Sequence, residues 1–252
     1  MLADTHVPAD PSRDYKGFRP AEHTAAAVAD ILKLSPQAAL IAGDLAWDQG
    51  LPPDYTHLHE LLGPLACRLP LCLMLGNHDN RQAFLKEFFP SQAEPGQGIE
   101  KILTVVEHGP IRWILLDSLI RTDIVAGLLG KAQRWWLRQL LEASDARPTL
   151  IVVHHPLDDE DDSLLDSDGL LRLLRPFRQV KAVLTAHDHS YRIGSPQGLP
   201  IVSLPAVGMP FEDQEPVGWV EASLSANQGV FTFHALGENR RGDGVSQTLT
   251  WS

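Results

Sequence analysis

The sequence predicts an α/β fold, and three observations predict it. Short apolar runs of strand length alternate with longer segments of helical period through about residue 190. Nearly every run ends on an aspartate, asparagine or histidine. After about residue 198 the texture changes to short, turn-bounded segments that read as antiparallel strands.

Taken in order, Leu2 and Ala3 lead into Asp4-Thr5-His6, and a helix is expected at 20–34, with Pro20 and Glu22 just inside its start. The run 38–42 ends at Gly43-Asp44, and a helix is expected at 54–62. The run 71–75 ends at Gly76-Asn77-His78-Asp79, followed by a helix at 81–89. The run 111–116 ends at Asp117-Ser118, and Gly130 punctuates the chain before a helix at 131–143. The run 149–153 ends at His154-His155-Pro156; a helix at 169–177 and a run at 182–185 then lead to Ala186-His187-Asp188-His189. Beyond these come strand-like segments at 199–204, 219–224, 229–235 and 248–251. No Ser/Gly-rich linker precedes them, so they are expected to extend a second sheet of one domain spanning residues 1–252. Within it, 1–198 is the motif-bearing core and 199–252 the β-rich remainder. Residues 90–110 and 157–168 are expected to form the rim of the site.

A chain of 252 residues, 44% hydrophobic, is long enough to bury a full core as one domain. Its formal charge of −11 argues against nucleic acid polymers and anionic membranes as partners, because both call for a basic surface. No run of about 18 apolar residues is present, and the start lacks the basic-then-apolar pattern of a signal peptide. A cytoplasmic location is the expectation. Cys67 and Cys72 lie in an apolar stretch and read as small buried hydrophobes in a reducing compartment, not as metal ligands.

In open α/β sheets the carboxyl ends of the strands converge on one crevice, which is where ligands bind. Here those ends carry Asp4, His6, Asp44, Asn77, His78, Asp79, His154, His155, His187 and His189. A mixed set of carboxylate, amide and imidazole donors without thiolate suits Mn²⁺, Fe²⁺ or Fe³⁺, Zn²⁺, Co²⁺ or Ni²⁺ better than Ca²⁺ or an electron-transfer copper. One ion would leave donors over, whereas two ions about 3.5–4 Å apart, sharing a bridging carboxylate, would use the set. Each element taken singly reads as turn chemistry. Their succession at strand ends does not.

The order of these elements resembles the calcineurin-like metallophosphoesterase superfamily, whose pattern is D-x-H, GD, GNH[DE], H and GHxH. The matching residues are Asp4-Thr5-His6, Gly43-Asp44, Gly76-Asn77-His78-Asp79, His154 and Ala186-His187-Asp188-His189. The resemblance covers residues 4 to about 190. It implies a four-layer α/β/β/α sandwich, two mixed sheets flanked by helices. It also implies that Asp4, His6, Asp44 and His189 hold one ion, and that Asp44 bridges to a second held by Asn77, His154 and His187. His78, directly after Asn77, is placed to donate a proton to the leaving oxygen, with Asp79 as the residue to orient its ring. Arg81 and His155 are the candidate substrate contacts. Ala186 stands where the pattern has glycine, which asks only for ordinary backbone angles there.

Trp47 occupies the position of the purple acid phosphatase tyrosine, and the phosphatase motif GDxVDRG is absent. The remaining match is to class III cyclic nucleotide phosphodiesterases and their glycerophosphodiesterase relatives, through Asp54-Tyr55, Arg81, Asp117-Ser118, the paired Trp135 and Trp136, and His154-His155-Pro156. It implies hydrolysis of a small phosphodiester by a hydroxide bridging two ions. Within hydrolases, a phosphomonoesterase or a nucleotide pyrophosphate hydrolase competes. Outside them, the competitor is a non-catalytic interaction module on the same fold. The similarity also admits a homodimer supported by 199–252. The tryptophan pair could stack a base, although packing against the core is the commoner use. Only Met1, Leu2 and Ala3 precede the D-x-H element, so Asp4 and His6 are expected to be loosely held and their ion poorly retained.

Overall fold

The computed structural model describes residues 1–93, 101–195, 198–212 and 214–251. Its helices are α1 (Pro20–Leu34), α2 (Pro52–Ala66), α3 (Arg81–Phe88), α4 (Gly130–Ala143) and α5 (Ser167–Leu174), with a 3₁₀ turn at Pro90–Gln92. The strands are β1 (Ala39–Ala42), β2 (Leu71–Met74), β3 (Thr104–His108), β4 (Ile111–Leu116), β5 (Thr149–Val153) and β6 (Val180–Thr185). They continue with β7 (Arg192–Gly194), β8 (Ile201–Ser203), β9 (Gly218–Leu224), β10 (Gln228–Ala235) and β11 (Ser246–Thr250).

One sheet has the order β3-β4-β5-β6-β8-β7, with β4, β5, β6 and β8 parallel and the antiparallel strands β3 and β7 at its edges. The other side of the sandwich contains the parallel pair β1-β2 and the antiparallel set β9-β10-β11. Residues 1–7 join them. Leu2 donates to Leu40 and accepts from Ala42, both at 2.8 Å, while Met1 and Val220 exchange backbone bonds of 2.7 and 2.9 Å. The short leading segment therefore runs as a strand between β1 and β9, buried on both faces. This corrects the expectation that it is loose: seven residues suffice because neighbours on both sides satisfy their backbone groups.

Period-2 alternation divides the side chains among three cores. Leu40 and Ala42 of β1 face Leu150 and Val152 of β5 across the sandwich, together with Phe231 and Phe233 of β10. Ile41 and Leu2 face outward against Val28 and Ile31 of α1 and Tyr55, Leu58 and Leu62 of α2. On the far side, Ile151, Val153 and Val183 pack under Leu137 and Leu141 of α4 and Leu170 and Leu173 of α5. The result is the four-layer α/β/β/α arrangement, with β1, β5 and β6 clamped between two apolar layers. None of the helices among the described residues is long and apolar enough to cross a membrane.

Several sequence expectations need correction. Residues 104–108, assigned to the rim, form β3, a hairpin with β4 turned by Gly109 (φ +57°) and Pro110. Residues 94–100 of that rim lie outside the described residues. Helix α5 starts earlier than the 169–177 window and ends ahead of Pro176, which cannot continue it. Cys67 is exposed and Cys72 half-buried, so they are not a pair of buried hydrophobes. Of the paired tryptophans only Trp136 packs on the core beneath α4, while Trp135 is 66% exposed.

Candidate metal centre

Asp44, Asn77, His154, His187 and His189 lie just beyond the carboxyl ends of β1, β2, β5 and β6. Asp44 stands two residues after β1, His154 directly after β5, and His187 and His189 in the turn after β6. Asp4 and His6 come from the leading segment. These turns are tight: Asp4, His6, Asp44, His187 and His189 all take positive φ, between 43° and 73°. Such angles cost non-glycine residues on the order of 1–3 kcal/mol each and survive only where surrounding contacts impose them. Ala186 keeps ordinary angles, as the sequence suggested.

The side chains form two buried groups whose donor atoms lie within 4.8 Å of one another: Asp4 with His6 and His189, and Asp44 with His154 and His187. The groups touch. His154 Nε2 is 3.4 Å from Asp44 Oδ2 and 3.9 Å from Asp4 Oδ1, and His6 Nε2 is 3.7 Å from Asp44 Oδ2. Asp44 Oδ2 thus faces both groups, while Oδ1 accepts the His78 amide at 2.9 Å. Asn77 is buried with them. Asp4 Oδ1 and Asn77 Oδ1 have no hydrogen-bond partner, and unpaired buried oxygens of this kind are costly unless a cation takes them up. The donors present therefore fit two cations.

Backbone carbonyls set the rings. His6 Nδ1 donates to Trp47 O (3.0 Å) and His154 Nδ1 to Ala42 O (2.8 Å), which leaves each Nε2 to face the centre. Burial pulls the His154 pKa down, but Asp44 and Asp4 outweigh it and hold the ring up at about 9. Burial pushes His187 down to about 4 and His6 and His189 below their ordinary value. Burial also raises Asp4 well above the carboxylate range, opposed by His154 and reinforced by Asp44. Without cations the carboxylates thus favour a protonated His154.

Glycine is required where the loops meet. A Cβ on Gly76 would stand 2.2 Å from Asp44 Oδ1 and 2.6 Å from His154 Nε2, and one on Gly43 would stand 2.5 Å from His154 Nδ1. Asn80 caps α3, its side chain accepting from the amides of Gln82 and Ala83, so the motif loop ends as a helix N-terminus.

His78 lies at the mouth, its side chain 26% exposed and its ring centroid 5.3 Å from that of His6. Its Nδ1 donates to Asp48 O at 2.7 Å, with the Asp48 carboxylate 3.6 Å away. Asp79 does not orient it. The Asp79 carboxylate is fully buried and accepts from the amides of Leu45, Ala46 and Gly76 and from the Tyr55 hydroxyl (2.9 Å), tying the Asp44 loop to the Asn77 loop.

Arg81 and His155 are likewise misread by the sequence. Arg81 forms a two-pronged ion pair with Asp117 (2.8 and 2.7 Å) and also donates to Leu119 O, so its guanidinium is committed to the fold. His155 is buried with both nitrogens used: Nδ1 accepts from Ser118 Oγ (2.7 Å) and Nε2 donates to Val125 O (2.9 Å). It supports His187 from behind, with ring centroids 4.9 Å apart. Sequence reasoning missed Tyr55, Asp48 and Ser118 as partners of these groups, because only the fold brings them close.

Comparison with known proteins places these features in context. The family described as calcineurin-like phosphoesterase matches residues 1–191. A probable cyclic nucleotide phosphodiesterase of Rhodopseudomonas palustris is 36% identical over 76% of this chain and 68% of its own length. A glycerophosphodiester phosphodiesterase of Enterobacter lignolyticus is 27% identical over 69% of this chain and 64% of its own. The crystal structure of a dimetal phosphatase from Danio rerio superposes with a TM-score of 0.75 at 18% identity, covering 100% of this chain and 98% of that one, a likeness of fold.

Proposed function

The chain belongs to the calcineurin-like phosphoesterase family, and from that premise we propose that it is a metal-dependent phosphodiesterase acting on small diesters of the cyclic nucleotide or glycerophosphodiester class. The observation that carries this reading is the pair of touching Asp/His groups with the unpartnered oxygens of Asp4 and Asn77 between and beside them.

In this reading Asp4, His6, Asp44 and His189 hold one cation, and Asp44, Asn77, His154 and His187 the other. Asp44 is shared because its Oδ2 faces both groups. The oxygen and imidazole donors, with no thiolate, favour Mn²⁺, iron, Zn²⁺, Co²⁺ or Ni²⁺. When bound, two such cations supply Lewis acidity, lowering the pKa of water and offsetting phosphoryl charge. His78 is the proton donor. Because the Asp48 carbonyl can only accept, it holds one proton on Nδ1, so the doubly protonated ring is the donor: it gives its Nε2 proton to the leaving alkoxide and is left as the neutral Nδ1–H imidazole. Asp79 and Tyr55 keep the two ligand loops in register. A diester is preferred to a monoester because Arg81, the cation nearest the motif, is bound to Asp117 and offers nothing to a second phosphate charge.

Residues 1–252 are taken to act as one metallophosphoesterase domain, supported by the bonds between Met1 and Val220 that join 199–252 to the motif-bearing core. The chain's formal charge of −11 fits a small substrate better than a nucleic acid polymer.

The test is to strip the metals and titrate with Mn²⁺ while following hydrolysis of bis(p-nitrophenyl) phosphate. Turnover should appear with metal and exceed that on p-nitrophenyl phosphate. His78→Ala should lower it by about 10²–10⁴-fold without loss of metal. A folded protein with no metal-dependent turnover rejects the reading, and a clear monoester preference replaces it with the phosphomonoesterase.

A further inference from the structure

Phe211 is a large apolar side chain left 57% exposed, and it lies flat on the His189 ring, with centroids 3.9 Å apart and planes within 9°. We propose that its free face is a stacking wall for the aromatic group of one ester arm, so that diesters carrying a nucleobase are preferred to glycerophosphodiesters. This rests on the phosphodiesterase reading above and adds the arm that the site selects.

Placement comes first. The His189 Nε2 edge points into the centre, 3.3 Å from His6 Nε2 and 3.6 Å from Asp4 Oδ1. A ring stacked parallel on His189 lies beside that donor edge and turns its other face away from the ligand. The loop holding Phe211 is fastened to the Asp4 segment: Val207 donates to Ala3 O at 3.0 Å, Gly208 to Asp4 O at 2.9 Å, and His23 Nδ1 to Gly208 O at 2.9 Å. A Cβ on Gly208 would stand 2.7 Å from Thr5 O, so this approach needs glycine. Phe211, three residues on, is held to the centre by backbone.

The other aromatic residues are otherwise engaged. Trp47 gives its carbonyl to His6, and its ring carries the Arg13 guanidinium at 4.7 Å and the Tyr15 edge at 6.4 Å. Trp135 stands on α4, apart from both ligand groups. Phe211 alone joins a free aromatic face to a ring of the centre, among the described residues. An aromatic base gains from such a face and a glycerol arm does not; removing one stacking partner typically costs about 5- to 150-fold.

The experiment compares kcat/KM for 3′,5′-cyclic AMP and for glycerophosphoglycerol, whose two arms are neither aromatic nor cationic, in the metal-replete protein, with metal content measured for every variant. Phe211→Ala should lower the cyclic AMP to glycerophosphoglycerol ratio about tenfold, through KM more than kcat. Phe211→Leu, which still covers His189 but has no π face, should lose the ratio too, and Phe211→Tyr should keep it. An unmoved ratio in Phe211→Ala, a ratio kept by Phe211→Leu, or equal losses on both substrates together with lost metal would each overturn the proposal and leave Phe211 as packing for His189. Failure of the wild type on both diesters would overturn the phosphodiesterase reading first and this inference with it.

Discussion

The group of Asp4, His6 and His189 draws two of its members from the leading segment, whereas that of Asp44, His154 and His187 draws its members from the turns just after β1, β5 and β6; His187 and His189 share the last of these turns. The first group is assembled by pairing across the whole chain, from Met1 with Val220 to Gly208 with Asp4. The second is braced from behind by His155, itself fixed by Ser118 and Val125. Both are buried and Asp44 Oδ2 faces both, so their burial does not separate them. Their supports do: the first depends on pairing between segments far apart in the sequence, the second on β1 of one sheet and the neighbouring parallel strands β5 and β6 of the other.

The shared carboxylate offers the strongest test of that comparison. Asp44→Ala should empty both positions and cost more activity than the roughly 10²–10⁴-fold set by loss of a proton donor, with metal analysis showing neither ion retained. His189→Ala and His154→Ala should each retain one ion per chain. Loss of both ions in either variant would show that the groups are not separable.

Protons sharpen the contrast next. His154, held at about 9, must lose its proton before a cation can take Nε2, whereas burial pushes the His6 and His189 rings of the first group down and so favours their neutral, metal-ready form. In His189→Ala, where only the second position is complete, Mn²⁺ affinity should rise about tenfold per pH unit and level off near pH 9, as calorimetry in two buffers would show. Stability runs the other way in metal-free protein. A histidine raised from 6.5 to about 9 by its carboxylates stabilises the fold fully below pH 6.5 and loses that contribution as pH climbs through 9. The melting temperature of metal-free protein should therefore fall across that window more than that of the loaded protein.

The gathering of these side chains was legible in the sequence because each lies at or shortly after an apolar run, and a strand of known direction places its end in the crevice. Their backbone was not: nothing in Asp4, His6 or His187 announces a positive φ, which contacts from other loops impose. Asp79, Arg81 and His155 were misassigned for a related reason. A polar residue beside a catalytic motif looks available, and only the fold brings Tyr55, Asp117 and Ser118 to satisfy it. β3 had a signal, a Thr-Val-Val run before Gly109-Pro110, which its place between motifs obscured. Phe211 had none, since a lone aromatic in a Pro-rich loop carries no period, and the paired tryptophans drew attention to α4 instead.

The smallest expected effects come from the supports themselves, and they ask whether the two groups can be loosened independently. Gly208→Ala would press a Cβ to 2.7 Å from Thr5 O, and Gly127→Ala would press one to 2.5 Å from the His155 ring. Each should cost about 1–3 kcal/mol of stability by overpacking, read from urea melts. The first should weaken the ion held by Asp4, His6 and His189, and the second the ion held by Asp44, His154 and His187. Ser118→Ala is gentler. It removes the hydroxyl that His155 Nδ1 accepts from and leaves the ring packed on His187, so metal affinity at the second position should drop about tenfold or less. If Ser118→Ala instead weakened both positions equally, the supports would be common property of the centre, and the division drawn from strand placement would have to be abandoned.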